Sequence, residues 1–496
     1  MSAAAVTMIR FLCLLGFALT VSGPGNGRAA EQERRLLFFG DVMLSREVAR
    51  EIDRRGGVSP WSFMEEAGEK QGKADFSMIN FEGAVDDPAD AGEGCREAKG
   101  PCFAVPHTAL SFLKPAHMTA AGLANNHTAD LGDAGRARTK KALAEAGVDP
   151  LDFDDSPGFV RIGERSIAIV VLSLIPGRDG KADAVPSFEA ERKMRLARTL
   201  ADWVVVSVHW GVELRDWPHK TQYRAAEWLV GQGADLIIGH HPHVVSLPEC
   251  VQGRPVFYSL GNHVFDQKYP RSKEGLIADC RVIERDGGML SCSGLETRTP
   301  TGSSFPRLAG PSYGARAALE RCTVPARGGL SVNGRRLSPW TEPGRLKGDA
   351  MVIEGRARGQ KPWRVAGRKI LSAEAGALEA GKPPVLFTVE RHFSPIDKEN
   401  SPRPYVYAVE DRGLAARWRG TALAWPLIDA RLMPEEEDSS TMLVCALHRS
   451  DSFLQMDPDA EGTRTAVYRW NGFGFSGEQD EDSEARCRDM YRESAR

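Results

Sequence analysis

Five segments of this chain end an apolar run with residues able to hold a metal ion or move a proton. Phe38-Phe39 leads into Gly40-Asp41, and Met78-Ile79 into Asn80-Phe81-Glu82. Gly122-Leu123 leads into Asn125-Asn126-His127, with Asp130 and Gly132 just beyond. Val206-Ser207-Val208 ends at His209-Trp210-Gly211, and Ile237-Ile238 at Gly239-His240-His241-Pro242-His243. Carboxylates, an amide oxygen and neutral imidazoles suit Mn, Fe or Zn rather than copper(I) or a thiolate cluster. A carboxylate between two imidazole-rich half-sites can bridge two such ions, roughly 3.5–4 Å apart, which acidify a shared water and clamp the oxygens of a displacement. His127, adjacent to a ligand amide, would be placed to protonate a leaving oxygen.

Each element alone has an ordinary use. An Asp after a strand is usually a turn or helix cap. Glu82 reads as a solvated loop residue, Asn125-Asn126 as a turn that tolerates left-handed backbone, and His209 as a core histidine beside Trp210. Three histidines within four positions, with proline fixing the backbone, favour a metal. The argument for a site is the shared edge: in open α/β sheets ligands bind beyond the carboxyl ends of the strands.

The elements that must build that edge are legible between about residues 35 and 290. Strand-like runs at Leu36–Phe39, Phe76–Ile79, Met118–Leu123, Ser166–Leu174, Val204–Val208, Leu236–Ile238 and Val256–Leu260 alternate with helix-like stretches. Two of these, Gly135–Ala146 and Thr221–Gln232, close on a glycine near their ends. The alternation predicts an α/β fold over residues 35–292. Residues 293–345, rich in Gly, Pro, Ser and Arg, read as a linker or loop-rich insertion. Short strand-like runs at Val385–Val389, Tyr405–Val409, Met442–Leu447 and Thr465–Trp470 predict a mainly-β domain over residues 346–496. Its acidic tail from Gly477 is expected to be mobile unless Cys487 ties it down.

A chain of 496 residues is long enough for two or three domains. Its net charge of -3 argues against a general nucleic-acid binder. Arg10, the apolar run Phe11–Val21 and the small residues ending at Ala29-Ala30 make a secretory signal over residues 1–30. The run is short for a bilayer span of roughly 20 residues, although an uncleaved anchor is the other reading. Loss of the signal removes Cys13 and leaves eight cysteines in an oxidising compartment. Cys95 with Cys102, and Cys280 with Cys292, are plausible local disulfides; the pairing of Cys250, Cys322, Cys445 and Cys487 is open.

The motif order GD, NFE, NNHTADLGDAG, HWGVEL, GADLIIGHHPHVV and YSLGNHVF, over roughly residues 35–285, resembles the CapA (poly-γ-glutamate capsule synthesis) family. That family belongs to the calcineurin-like metallophosphatases, so the resemblance implies a four-layer α/β/β/α sandwich. It implies one or two divalent metals held by Asp41, a bridging Glu82, Asn126, His209, His241 and His243, with His127 as catalytic neighbour. His240, Asn125 and Arg46 are further candidates. The superfamily usually has a histidine two residues after the first Asp, where this chain has Met43, and Asp where it has Glu82. One metal site could therefore be weak or rearranged; His263, where the family usually has phenylalanine, could supply a ligand or be a bystander.

The implied role is an exported hydrolase acting on a phosphoester or amide of an anionic polymer, as partner of a membrane-bound polymer synthase. Two alternatives stand beside it. One is a non-catalytic envelope module that holds an anionic polymer. The other is an interaction protein acting through its C-terminal β-domain, where Trp418, Trp425, Trp470, Phe473 and Phe475 either line a carbohydrate platform or fill the core.

Overall fold

The computed structural model describes residues 33–62, 73–86, 95, 100–155, 157–284, 287–347, 352–366, 369–393, 400–420, 423, 425–450 and 462–493. The signal-like segment 1–30 lies outside them.

Two sheets build the front of the molecule. The first is mixed. Glu33–Val42, Phe76–Phe81, Ala120–Gly122 and Asp149–Leu151 run parallel, and Glu274–Ile283, Met289–Arg298 and Arg307–Pro311 continue the sheet antiparallel on the other side of Glu33–Val42. In the second, Arg165–Ser173, Trp203–His209, Leu236–His240 and Arg254–Phe257 lie parallel, with antiparallel strands at both edges.

Alternation along the strands sorts the core. Leu36, Phe38, Phe76 and Met78 of the first sheet share one buried cluster with Ile167, Ile169, Val205 and Ile238 of the second. The opposite face of the first sheet, with Leu37, Phe39, Ile79 and Phe81, clusters with Val48 and Ile52 of the helix Arg46–Arg54 and Leu143 of the helix Gly132–Glu145. Ala168, Val170, Val204 and Val206 of the second sheet meet Met194 and Leu200 of the helix Phe188–Leu200 and Leu229 of the helix Lys220–Gly231. Each fully buried Val, Leu, Ile or Phe contributes about 1.5–3 kcal/mol, so neither sheet would hold its place without both faces covered.

The helices start where local chemistry allows. Ser187 accepts a hydrogen bond from Ala190 N at 3.2 Å, capping Phe188–Leu200. His219 and Gln222 form a reciprocal capping box at the start of Lys220–Gly231.

The stretch 293–345 carries more regular structure than its Gly and Pro content suggests. Met289–Arg298, Arg307–Pro311 and Thr323–Pro325 are strands of the first sheet, Tyr313–Leu319 is a helix, and Leu330–Val332 and Arg335–Trp340 open the next sheet. Small residues hid these strands because Gly294 packs flat where a side chain would meet Leu276 and Ala315. Beyond residue 330 the described residues are mainly antiparallel, in three four-stranded sheets with strands in chain order. The tail is a helix, Glu481–Glu493, with Tyr491 buried and Cys487 bonded to Cys445. The other disulfides are Cys95–Cys102, Cys280–Cys292 and Cys250–Cys322.

Of the five C-terminal aromatics, Trp470 is buried, and Phe475 lies 5.0 Å from Trp418 and 5.2 Å from Trp470 between ring centroids. Trp425 packs edge-on to His448, and Phe473 is exposed. The packed rings fill the core between two sheets rather than lining a shared surface.

A buried ionic network joins this region to the front. Arg195, on the helix Phe188–Leu200, reaches Asp429 at 2.6 Å and Glu374 at 3.1 Å. Arg431 returns the link to Glu191 on the same helix at 2.7 Å.

Candidate metal centre

Register decides which strand ends meet. In the first sheet Asp41 is level with Asn80, and Asn80 with Gly122. In the second His240 is level with His209. Two glycines permit the close approach: a Cβ at Gly40 would collide with the carbonyl of Gly261, and one at Gly239 with that of Tyr258.

Asp41, fully buried, is the hub of one side. Its Oδ1 accepts from Asn80 Nδ2 at 2.8 Å and faces His240 Nδ1 at 3.4 Å. Its Oδ2 accepts from His241 N at 3.2 Å and faces His243 Nδ1 at 3.1 Å. Glu82, equally buried, has Oε1 4.0 Å from His209 Nδ1 and Oε2 4.0 Å from His243 Nε2. His209 Nε2 lies 2.8 Å from Asn126 Oδ1. The rings of His209 and His241 are 4.7 Å apart. His241 and His243 both adopt left-handed backbone, at φ 95° and 60°, which aims both rings inward from one short loop.

His127 sits at the edge of this cluster. Its Nε2 is 3.3 Å from Asn126 Nδ2, and its Nδ1 is 2.9 Å from Asp130 Oδ2. Its ring stacks on Phe103 at 3.9 Å, and Arg46 lies on that same Phe103 ring while pairing with Asp266. Asn125 is committed to the scaffold: its amide donates to Asn80 Oδ1 and Phe81 O, and its oxygen accepts from His127 N. His263 is buried against Phe39 and Trp61 on the side of the first sheet that faces its helices; burial pushes its pKa down to about 3. Met43 is fully buried, its sulfur accepting from Ser45 N and Oγ.

The buried carboxylates and imidazoles shift one another's protonation. Burial would raise the Asp41 carboxyl, but hydrogen bonds from His240 and His243 outweigh it and hold it well below its usual value. Burial, then the charge of Asp41, pushes Glu82 well above the usual carboxyl range. Burial lowers His209 strongly, with His241 adding to it. Burial and His243 bring His241 down to about 4. Burial opposes charge on His243, yet Glu82 and Asp41 raise it to about 9. Glu82 Oε2 and His241 Nδ1 are buried with no hydrogen-bond partner. Buried polar atoms rarely stay unpaired, so the donor set fits a divalent ion. Asp41, Glu82 and His209 each offer an atom within 4.8 Å of the others, and so do Glu213, His241 and His243.

Residues 35–267 match the family described as bacterial capsule synthesis protein PGA_cap. Over those residues the front of this chain is similar to the PGA_cap family. Relatives include the PGA biosynthesis protein CapA of Bacillus subtilis (strain 168), 26% identical over 278 residues, covering 53% of this chain and 72% of that protein. The capsule biosynthesis protein CapA of Bacillus anthracis is 28% identical over 294 residues, covering 55% and 69%. A probable polyglutamine synthesis accessory protein of Mycobacterium tuberculosis is 27% identical over 206 residues, covering 35% and 52%.

Three residues of the PGA_cap-like domain were not among the sequence candidates. Asn80 hydrogen-bonds both Asp41 and Glu82 through one amide nitrogen. Asp130 orients His127, and its spacing of three residues was the signal. Glu213, four residues beyond His209, reaches the cluster from an exposed loop.

Proposed function

We propose that the PGA_cap-like domain is an exported, metal-dependent hydrolase-like unit serving synthesis or export of poly-γ-glutamate or a related capsule polymer. Its substrate would be a phosphoester or amide of an anionic polymer, and its partner a membrane-bound polymer synthase. The supporting observation is the convergence of Asp41, Glu82, Asn126, His209, His241 and His243 from separate strand ends, with buried donor atoms left unpaired. The names of the Bacillus relatives support the polymer. The two-sheet core clusters favour the metallophosphatase α/β/β/α sandwich.

Divalent ions of the Mn, Fe or Zn type, held by those six residues, would supply a deprotonated water and positive charge at the attacked centre. The protein's own part is positional. Asp130 holds His127 through Nδ1, leaving Nε2 to carry the proton exchanged with a leaving oxygen. Strand register fixes Asp41 beside Asn80 in one sheet and His209 beside His240 in the other, so little ordering within each pair remains for the reaction itself.

Metal content of the purified protein, with activity on a diester, a monoester and poly-γ-glutamate, tests this reading. His241→Ala should lose metal while keeping a wild-type circular dichroism spectrum. Full metal content in that variant would place the site elsewhere. Buried Met43, in place of a ligand, favours a second reading in which the centre holds metal and polymer but turns nothing over. Metal binding without hydrolysis of any of the three substrates would select it. Export predicts a mature N-terminus near Ala30 or Glu31; an intact Met1 on a membrane-bound form would replace the signal with an anchor.

A further inference from the structure

We propose that Glu213 is a metal ligand, forming with His241 and His243 an outer half-site beside the buried set of Asp41, Glu82 and His209. The proposal rests on the reading that this centre binds metal. Glu213, His241 and His243 each present a donor atom within 4.8 Å of the other two, and Glu213 is the exposed member. The second observation is His241 Nδ1, which is buried, 7% exposed as a residue, and without a hydrogen bond. A buried imidazole nitrogen with no partner calls for a proton donor or an ion. Among the described residues no lysine or arginine forms an ion pair with Glu213, whose charged neighbours are the histidines of the group itself.

The loop that carries Glu213 is fastened to the histidine loop. Leu214 N donates to Pro242 O at 2.8 Å, and Pro242 lies between His241 and His243. That bond holds the Glu213 loop against the loop that carries both rings.

Met43 gives the arrangement its chemical sense. Its thioether is sealed in the core by Ser45, so the position two residues after Asp41 offers no imidazole. A hard oxygen donor from another loop makes up the count, and it does so on the solvent side. The two half-sites then differ in kind: a buried one, and one closed by a carboxylate that water and an incoming polymer can reach.

Calorimetric titration of the full-length mature protein with Mn(II), read alongside electron paramagnetic resonance of the bound ion, tests the assignment. Wild type should bind two ions. Glu213→Gln should weaken one of them at least tenfold and abolish any spin coupling, while the tighter ion stays. Glu213→Asp should recover part of the lost affinity, which a merely structural defect would not. Asp41→Asn should remove the tighter ion instead. Two ions bound with unchanged affinities in Glu213→Gln would overturn the proposal and leave the metal reading intact. A single ion in wild type would overturn the division into half-sites. No binding of Mn, Fe or Zn by wild type would overturn the metal reading, and this proposal with it.

Discussion

His127 Nδ1 lies 2.9 Å from Asp130 Oδ2, on a carboxylate held from three sides. Phe103 N donates to the same oxygen at 2.7 Å, and Arg178 Nε to the other at 2.9 Å. The imidazole is thereby fixed with its Nε2 3.3 Å from the Asn126 amide nitrogen, at the edge of the candidate metal cluster. His127→Ala should retain metal and lower hydrolysis by about 10²–10⁴-fold. Asp130→Asn should act in the same direction by about 10–100-fold, as partners that orient a functional histidine commonly do. Its pH–rate profile should shift as well, which loss of packing alone would not cause. Metal analysis with kcat measured across pH checks both; unchanged rates in both variants would remove His127 from the chemistry.

Asp429 is expected to be the costliest single position outside the metal centre. It is fully buried and accepts from Arg195 and Arg431, the first from the front domain and the second from the C-terminal region. Asp429→Ala takes one carboxylate from each of two buried guanidinium groups, which keep Glu374 and Glu191. The cost should therefore approach but not exceed that of breaking a buried pair, about 3–5 kcal/mol. Urea denaturation of Asp429→Ala, against the surface control Asp438→Ala, measures it. A difference below about 1 kcal/mol would show the network to be dispensable.

His448 should make stability depend on pH below the neutral range. It is buried; its Nδ1 donates to Trp425 O at 3.1 Å and its Nε2 accepts from Tyr468 Oη at 3.0 Å. Burial pushes its pKa from 6.5 down to about 4. Below pH 6.5 the unfolded chain takes up a proton that the folded one refuses, so stability is complete above 6.5 and falls as pH drops toward 4. The ceiling is about 3 kcal/mol. His448→Gln should flatten the denaturation midpoint over that window relative to wild type. An identical pH slope would show that His448 does not titrate with folding.

The Cys250–Cys322 bond closes a loop with a sequence separation of 72. Chain entropy puts its worth at up to about 4 kcal/mol. Cys250→Ser with Cys322→Ser should lower the melting temperature markedly. Replacing Cys95 and Cys102, whose separation is 7, should lower it less. Non-reducing peptide mapping of exported protein should show all four bonds intact; free thiols at 95 and 102 would remove that pair.

What the sequence determined was local. Short β-branched runs followed by Asp, Glu, Asn or His declare strand ends, because short apolar runs and the polar residues that stop them need no partner to be recognised. Asp41, Glu82, His209 and the stretches Asn125–His127 and His240–His243 stood out for that reason, whereas the choice of Asn126, His241 and His243 among them came from the family resemblance. The helices at 132–145 and 220–231 were legible within a few residues. Loop-local cysteines could be paired by proximity along the chain.

What the tertiary structure decided was everything that depends on register and on contacts far apart in sequence. Asn80 became a hub only because Asp41 stands level with it on the neighbouring strand. His263 went to the Phe39–Trp61 packing, since one residue along a strand reverses the face a side chain occupies. The Cys250–Cys322 and Cys445–Cys487 pairings, the strands within 289–325 and the anchored C-terminal helix are all set by neighbours distant in sequence. Glu213 is the sharpest case: an exposed carboxylate looks the same in sequence whether it faces solvent or two histidines. The hydrogen bond from Leu214 to Pro242, closing one loop onto the other, helps to separate the two.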